Sequence, residues 1–533
     1  MHPLTVLVEK SHLLHAYISM KLSSLAKSAW DHMKRSYWFL FQSNPFLPQL
    51  IYFILISFVG FLALKMLKPK NKMSSPKDLD LFFTSVSALT VSSMATVEME
   101  VFSTTQLWVL IVLMLIGSEV FTSMLGLQFM KAKITRERSF DKIVKSNSDI
   151  ESSNSTNFDG QKSNMHSSSA VIWPESHLID SENLKHEAIR YLGYVVLGYI
   201  VVINASSFIF LSMYLSLVPE AGEILRSKGI QISTFSIFTA ISSFGNCGFT
   251  PVNENMMIFK KNSALLLLII PQILAGGTLF PSCLRFTVWL LKKITKKDGY
   301  NYILQYPSAI RYKHLLPHRQ SVYLSLTVLG FIVGQTLLFC CLEWNSEVLQ
   351  GMNPYQKIVG ILFQSVNSRH AGESVVDIST LSSAILVLYT VMMYLPPYTS
   401  FLPINDDEKP LLEESRDGKR KKPFENLILS QISYLAVFIV LICITERQAM
   451  FVDPLNFTIF NIVFEVISAY GNVGFSLGYS CKRLLNHNKF CKDASYGFVG
   501  KWSAEGKLIL IFVMIFGRLK KFNMGGGKAW KLC

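Results

Sequence analysis

Charge is scarce in this chain. Asp, Glu, Lys and Arg make up 16% of its 533 residues, against about 25% in an ordinary soluble domain. Six stretches lack all four residue types: 36–64, 191–219, 262–284, 320–342, 378–405 and 426–445. A helix needs roughly 20 such residues to cross a bilayer, so the pattern excludes a soluble globular protein and predicts a multi-pass membrane protein in contact with lipid. Also missing are a GxxxxGK[ST] loop, an HExxH pair and any long polar domain able to hold a nucleotide. Those absences argue against an ATP-driven pump or a membrane enzyme, and no catalytic residue or cofactor is expected. No helix carries regularly spaced arginines, so a voltage sensor is excluded too. The eight cysteines show no zinc or haem spacing.

The charge that is present is basic, with a formal net charge of +15. It clusters between apolar runs, at 131–145, 292–297, 409–422 and 518–531. Such clusters mark cytoplasmic loops rather than a nucleic-acid surface. They place both termini inside, together with Lys21, Lys27, Lys34 and Arg35. Lys65, Lys68, Lys70, Lys72 and Lys77 run against the rule. The first apolar run follows about 35 mostly polar residues and is too long for a signal-peptide core, so it reads as a signal anchor.

The apolar segments repeat in order: a spanning run, a shorter run rich in small residues, and a second spanning run. The runs fall at 48–67, 79–93 and 106–130; at 192–217, 230–248 and 262–284; at 321–342, 354–372 and 378–402; and at 427–445, 454–474 and 505–521. The expected layout is a cytoplasmic N-terminus (1–35), repeat A (36–130), a cytoplasmic Ser/Asn-rich linker (131–186) read as disordered over 146–182, repeat B (187–291), a cytoplasmic loop (292–318), repeat C (319–404), a second cytoplasmic loop (405–424), and repeat D with the C-terminus (425–533). The middle runs are too short or too polar to cross alone. Re-entrant half-helices followed by irregular backbone fit them, which requires a surrounding of protein or a water-filled cavity. The fold class is therefore all-α, with four membrane–pore-loop–membrane repeats in pseudo-fourfold arrangement around a central ion pore. The last spanning run rests on the repeat pattern alone, because only 508–517 is uncharged there.

The four middle runs end in "SALTVSSMATVEME", "AISSFGNCGFTPVNENM", "QSVNSRHAGESVVD" and "EVISAYGNVGFSLGYS". Aligned, they place Ser93, Gly248, Gly372 and Gly474 at matching positions. A dehydrating cation needs oxygens to replace its hydration shell, and backbone carbonyls supply them without net charge. Gly allows unusual backbone and close approach, and the C-terminal dipole of a preceding half-helix favours a cation. A lone Gly could equally be a helix C-cap; four Ser/Gly termini in register are a filter pattern. Val91, Ser92, Asn246, Cys247, His370, Ala371, Asn472 and Val473 flank it.

These motifs, with "FGRLKKFNMG" near the C-terminus, resemble the plant high-affinity potassium transporter (HKT) family within the Trk and Ktr group, from about residue 36 to 533. The resemblance implies a passive, channel-like transporter of monovalent cations. Ser-Gly-Gly-Gly goes mostly with Na⁺ selectivity in that family, and four glycines with K⁺ permeation or Na⁺/K⁺ co-transport. It therefore implies Na⁺ at Ser93, Gly248, Gly372 and Gly474, with Ser93 narrowing one quarter against K⁺. It further implies a plasma-membrane protein that retrieves Na⁺ from xylem in a plant and supports salt tolerance; dimers in the wider group allow a homodimer.

Other residues keep two readings. Arg518 is a pore-facing basic residue, as in the family, or a boundary arginine. Glu98, Glu100, Glu254, Glu373 and Asp377 are outer-mouth acids that concentrate cations, or structural partners of Arg369 or nearby lysines. Pro396 and Pro397 are an intramembrane gate below the filter or a helix end; Pro271, Gly276 and Gly277 suggest a similar interruption. Glu119 and Glu465, inside apolar runs, are expected to serve packing between repeats. Cys481 and Cys491 flank a polar stretch where a disulfide is compatible with the spacing. The Asn154 sequon is expected to stay unmodified inside, and Asn456 is an outer sequon.

Overall fold

A computed structural model describes residues 46–70, 76–132, 135, 175–310, 312–399, 431–484, 491–494 and 496–523. The chain divides into two compact units, Met1–Leu55 and Ile56–Cys533. The described part of the first is the opening of helix α1 (Phe46–Met66), and every later element belongs to the second. Regular structure among the described residues is helical, apart from one isolated bridge between Tyr479 and Ala494.

After α1 come a short helix α2 (Asp78–Leu89) and a bent pair, α3 (Thr104–Gly117) and α4 (Glu119–Ala132). The order recurs as α5 (Glu175–Leu217), short α6 (Ile232–Gly245), and the bent pair α7 (Ser263–Gly276) and α8 (Phe280–Thr295). It recurs again as α9 (His318–Glu343), short α10 (Pro354–Asn367) and α11 (Ser383–Tyr394). The last set is α12 (Gln431–Thr445), short α13 (Ile459–Gly471) and α14 (Ala504–Asn523). The short helices have 12 to 14 residues. At about 1.5 Å per residue they reach only about 20 Å, less than a bilayer core.

Among the described residues three helices are long and apolar enough to cross a membrane, at Leu47–Met66, Leu184–Leu217 and His318–Glu343, and two bent pairs pass the same test. α14 fails on hydropathy, and its charges explain how it packs inward all the same. Lys507 meets Asp80 of α2 at 2.8 Å, both half-buried or deeper. Arg518 donates to the Gly117 carbonyl, and Lys520 donates to the Tyr470 hydroxyl.

Between lipid-facing helices association rests on close packing and hydrogen bonds, because lipid tails are as apolar as leucine. Small residues accordingly mark the crossings. Gly117 sits against the Leu89 carbonyl at the end of α2, Gly276 against the Phe244 carbonyl of α6, and Gly517 against the Tyr470 carbonyl of α13; any Cβ there would overlap the oxygen. The three contacts hold the second long helix of a set against the C-terminal end of its short helix. The third set is built differently. α11 ends at Tyr394, before the Pro396–Pro397 pair, and the Arg369 guanidinium donates to the Pro396 carbonyl at 2.9 Å.

Some expectations need correction. α5 begins at Glu175, inside the stretch read as disordered linker; the polar sequence there is compatible with a helix that extends the apolar run. The remainder of that linker and Asn154 lie outside the described residues. Pro271 sits inside an unbroken α7, and the 86° bend falls at Gly277 instead. Asn456 is 1% exposed and its amide donates to the Asp453 carboxylate and the Ser480 carbonyl, so it offers no glycan acceptor in the folded chain. Cys481 and Cys491 form a disulfide, with Cα atoms 5.9 Å apart.

Candidate functional site

Each short helix stops three to five residues before Ser93, Gly248, Gly372 or Gly474. Their C-terminal ends carry partial negative charge, each worth about 0.3–1 kcal/mol to a nearby cation. The four named residues line one cavity. Two residues earlier in each segment, Val91, Asn246, His370 and Asn472 line a second cavity. The intervening Ser92, Cys247, Ala371 and Val473 are 0% exposed. Side chains thus alternate between cavity and protein interior. Two residues of chain span at most about 7 Å, which sets the depth between the two rings.

The first ring is closed by direct backbone contact. A Cβ on Gly248 would overlap the Ala371 carbonyl, and one on Gly372 the Val473 carbonyl. One on Gly474 would strike the Ser93 side chain and stand 2.6 Å from the Ser92 oxygen. All four positions have positive φ: 52° at Ser93, 89° at Gly248, 69° at Gly372 and 97° at Gly474. The left-handed region open to side chains lies near +50 to +70°. Ser93 falls inside it at a cost of about 1–2 kcal/mol, while Gly248 and Gly474 lie where only glycine is at ease.

The amides of Gly248 and Gly474 each donate at 3.1 Å to a serine six residues earlier, Ser242 and Ser468. Asn246 and Asn472 cap their helices in left-handed conformation. Asn472 Nδ2 also donates to Ser92 Oγ at 2.8 Å, tying the fourth quarter to the first. Asn246 and Asn472 were named from sequence as flanking residues, whereas Ser242 and Ser468 were not singled out. The repeated Ser-x-x-x-x-x-Gly spacing in two segments was the signal that could have found them.

The acids named from the sequence do not line the first cavity. Glu373 is fully buried and accepts from Ser243 Oγ at 2.6 Å, so it braces the second quarter from behind instead of sitting at an open mouth. Glu100 and Glu254 both bind Lys228, at 2.7 and 2.5 Å. Burial alone would lower the Lys228 pKa, but the two carboxylates outweigh it and raise it above the usual lysine value. That pairing is fully present below lysine's ordinary pKa and is lost only as pH rises through the raised one. Glu98 is 3.4 Å from the Asn253 amide, and Asp377 caps a short turn at Ser379. Glu465 accepts from Ser476 and from the Leu477 amide, a bracing role like that of Glu373. Arg369 is 3% exposed, lies 4.8 Å over the Phe331 ring, and meets no acid among the described residues. Arg518, Glu119, Gly276, Gly277 and Pro397 line the second cavity beside the lower ring, while Pro396 holds Arg369 behind it.

The sequence matches the family described as "TrkH: Cation transport protein" over residues 176–421 and 402–524. Cation transporter HKT1;3 of Oryza sativa subsp. japonica is 58% identical, with 100% of this chain and 99% of the relative covered. Cation transporter HKT1;1 of the same organism is 52% identical over 96% and 93%. Sodium transporter HKT1 of Arabidopsis thaliana is 50% identical over 88% and 92%. The crystal structure of the potassium transporter TrkH from Vibrio parahaemolyticus covers 90% of this chain and 83% of its own, at 14% identity and a TM-score of 0.48. Identity of this extent along nearly the whole length, in a chain of repeated apolar helices, establishes that it belongs to the HKT family of cation transporters within the TrkH group, a multi-pass membrane carrier of cations and not an enzyme.

Proposed function

We propose that the chain is a passive, filter-selective Na⁺ transporter of the plasma membrane, with both termini inside and with Na⁺ retrieval from xylem and salt tolerance as its role in a plant. The filter is the ring of Ser93, Gly248, Gly372 and Gly474. A cation entering it exchanges water for peptide oxygens, and the four short helices add their negative ends. One observation carries the choice of ion. Ser93 is the only ring member with a side chain, and that side chain rests against Gly474 of the neighbouring quarter. It fills space in one quarter and disfavours the wider K⁺. A relative named as a sodium transporter, half identical to this chain, supports the same reading.

The test is Ser93→Gly in oocytes, with reversal potentials measured in Na⁺ and K⁺ baths. K⁺ permeability relative to Na⁺ should rise. An unchanged ratio would remove the serine from the account of selectivity, and a wild type equally permeable to both ions would favour Na⁺/K⁺ co-transport on the same scaffold. Currents that persist without ATP distinguish passive flow from pumping.

A further inference from the structure

We propose that Lys228 is a tethered cation seated between Glu100 and Glu254 at the outer rim of the filter cavity, where it takes the place of a divalent ion and keeps external Ca²⁺ from settling there and slowing Na⁺ entry. The inference rests on the filter reading above. It assigns a discriminating role, Na⁺ against Ca²⁺, to a residue outside the ring of Ser93, Gly248, Gly372 and Gly474.

Three segments build the seat. The short helix Pro219–Ser227 ends at Lys228, and Gly229 follows at φ 67°. The Gly229 amide donates to the Arg226 carbonyl and the Ile230 amide to the Leu225 carbonyl, both at 3.0 Å. These are the paired bonds of a Schellman turn. Lys70 Nζ donates to the Lys228 carbonyl at 3.1 Å. The lysine backbone is thus fixed, and its Nζ reaches Glu100 Oε1 at 2.7 Å and Glu254 Oε2 at 2.5 Å. Glu100 is fixed in turn. Its amide donates to Asn253 Oδ1, and its Oε1 accepts from the Asn253 amide, both at 3.2 Å. Met99 and Asn253, each next in sequence to one of the two acids, line the filter cavity. Charge on the pair therefore stands one residue back from the path of the ion.

Two carboxylate oxygens about one ammonium match a Ca²⁺ position in chemistry and in scale. Ca²⁺ holds oxygens at about 2.3–2.6 Å in flexible geometry, with water completing its shell, whereas Mg²⁺ demands about 2.0–2.1 Å and a near-ideal octahedron. Acids left bare at a pore mouth gather cations, and a divalent ion gains more from the pair than Na⁺ does. The ammonium differs from a divalent ion in being bonded to the chain, so no change in the external solution displaces it. Burial opposes its charge, yet the two carboxylates keep its pKa above the usual lysine value, and it stays charged at physiological pH.

The experiment uses the full-length protein in oocytes, with external Na⁺ titrated in the absence and presence of external Ca²⁺. Wild type and Lys228→Arg should keep one external half-saturation throughout. Lys228→Met should lower it about twofold without Ca²⁺, the scale of one solvent-screened charge. Added Ca²⁺ should then raise it past the wild-type value, because Ca²⁺ brings one positive charge more than the ammonium it replaces. The midpoint of that rise should be about 1 mM, as in weak extracellular Ca²⁺ modules, and Mg²⁺ should act more weakly. Lys228→Cys should respond like Lys228→Met, and returning an ammonium to its thiol with aminoethyl methanethiosulfonate should remove the Ca²⁺ response in the same cells. Adding Glu254→Gln to Lys228→Met should abolish it too. The inference is overturned if Lys228→Met lowers only the maximal current, as a plain staple between quarters would. It is also overturned if wild type responds to Ca²⁺ as the variant does, if Mg²⁺ matches Ca²⁺, or if the response survives Glu254→Gln. Failure of the filter reading shows elsewhere, in the reversal potentials of wild type and Ser93→Gly, and so is separable.

Discussion

The second and fourth quarters of the ring are near copies, and the first is not. Gly248 and Gly474 each sit at φ near 90° with their amides held by a serine, behind an asparagine in left-handed conformation. The first quarter puts Val91 at φ 50° and Ser93 at 52°, and Ser87, at the serine's place, has no partner for its hydroxyl among the described residues. A β-branched residue in that region is an outlier. The comparison teaches that the quarters share a path without sharing the means of holding it. The first is held by its neighbour, through Asn472 on Ser92. The second and fourth largely hold themselves.

The strongest way to break the comparison is to move the serine. Gly248→Ser should lower Na⁺ current by about tenfold or more at normal surface abundance, because φ strain of about 1–2 kcal/mol adds to overlap with the Ala371 carbonyl. A tolerated serine at 248 would mean that the quarters are interchangeable. Next in size is the third quarter, where a charged donor replaces the glycine contact. Arg369→Ala should lower stability by about 2 kcal/mol, the worth of a hydrogen bond to a charged group, read as a lower melting temperature in detergent. The smallest effect sharpens the comparison most. Ser242→Ala should cost about 1 kcal/mol through the lost acceptor for the Gly248 amide, whereas Ser87→Ala should leave the melting temperature unchanged. Equal losses from the two would show that the first quarter uses its serine after all.

Much of this frame was legible in sequence for simple physical reasons. Uncharged runs announced helices in lipid, and small residues at the ends of short runs pointed to the four positions that line one cavity. What was hidden depends on neighbours distant along the chain. Nothing around Glu373 reveals that Ser243, 130 residues away, covers its carboxylate. Nothing around Lys228 shows that it gathers Glu100 and Glu254. Pro271 drew attention as a helix breaker, yet the chain turns at Gly277, because a proline inside a membrane helix is tolerated when neighbours satisfy the freed carbonyl. The charges of α14 hid it from hydropathy, and Lys507, Arg518 and Lys520 each proved to have a partner on another element.

The ring also has a handedness. Each glycine of the second, third and fourth quarters presses its empty side toward the following quarter and not the preceding one. A methyl group added at one station would push on its successor, so disturbance would travel round the pore in a single rotational sense. Four stations that look alike on paper are therefore four different tuning screws, each with its own downstream audience.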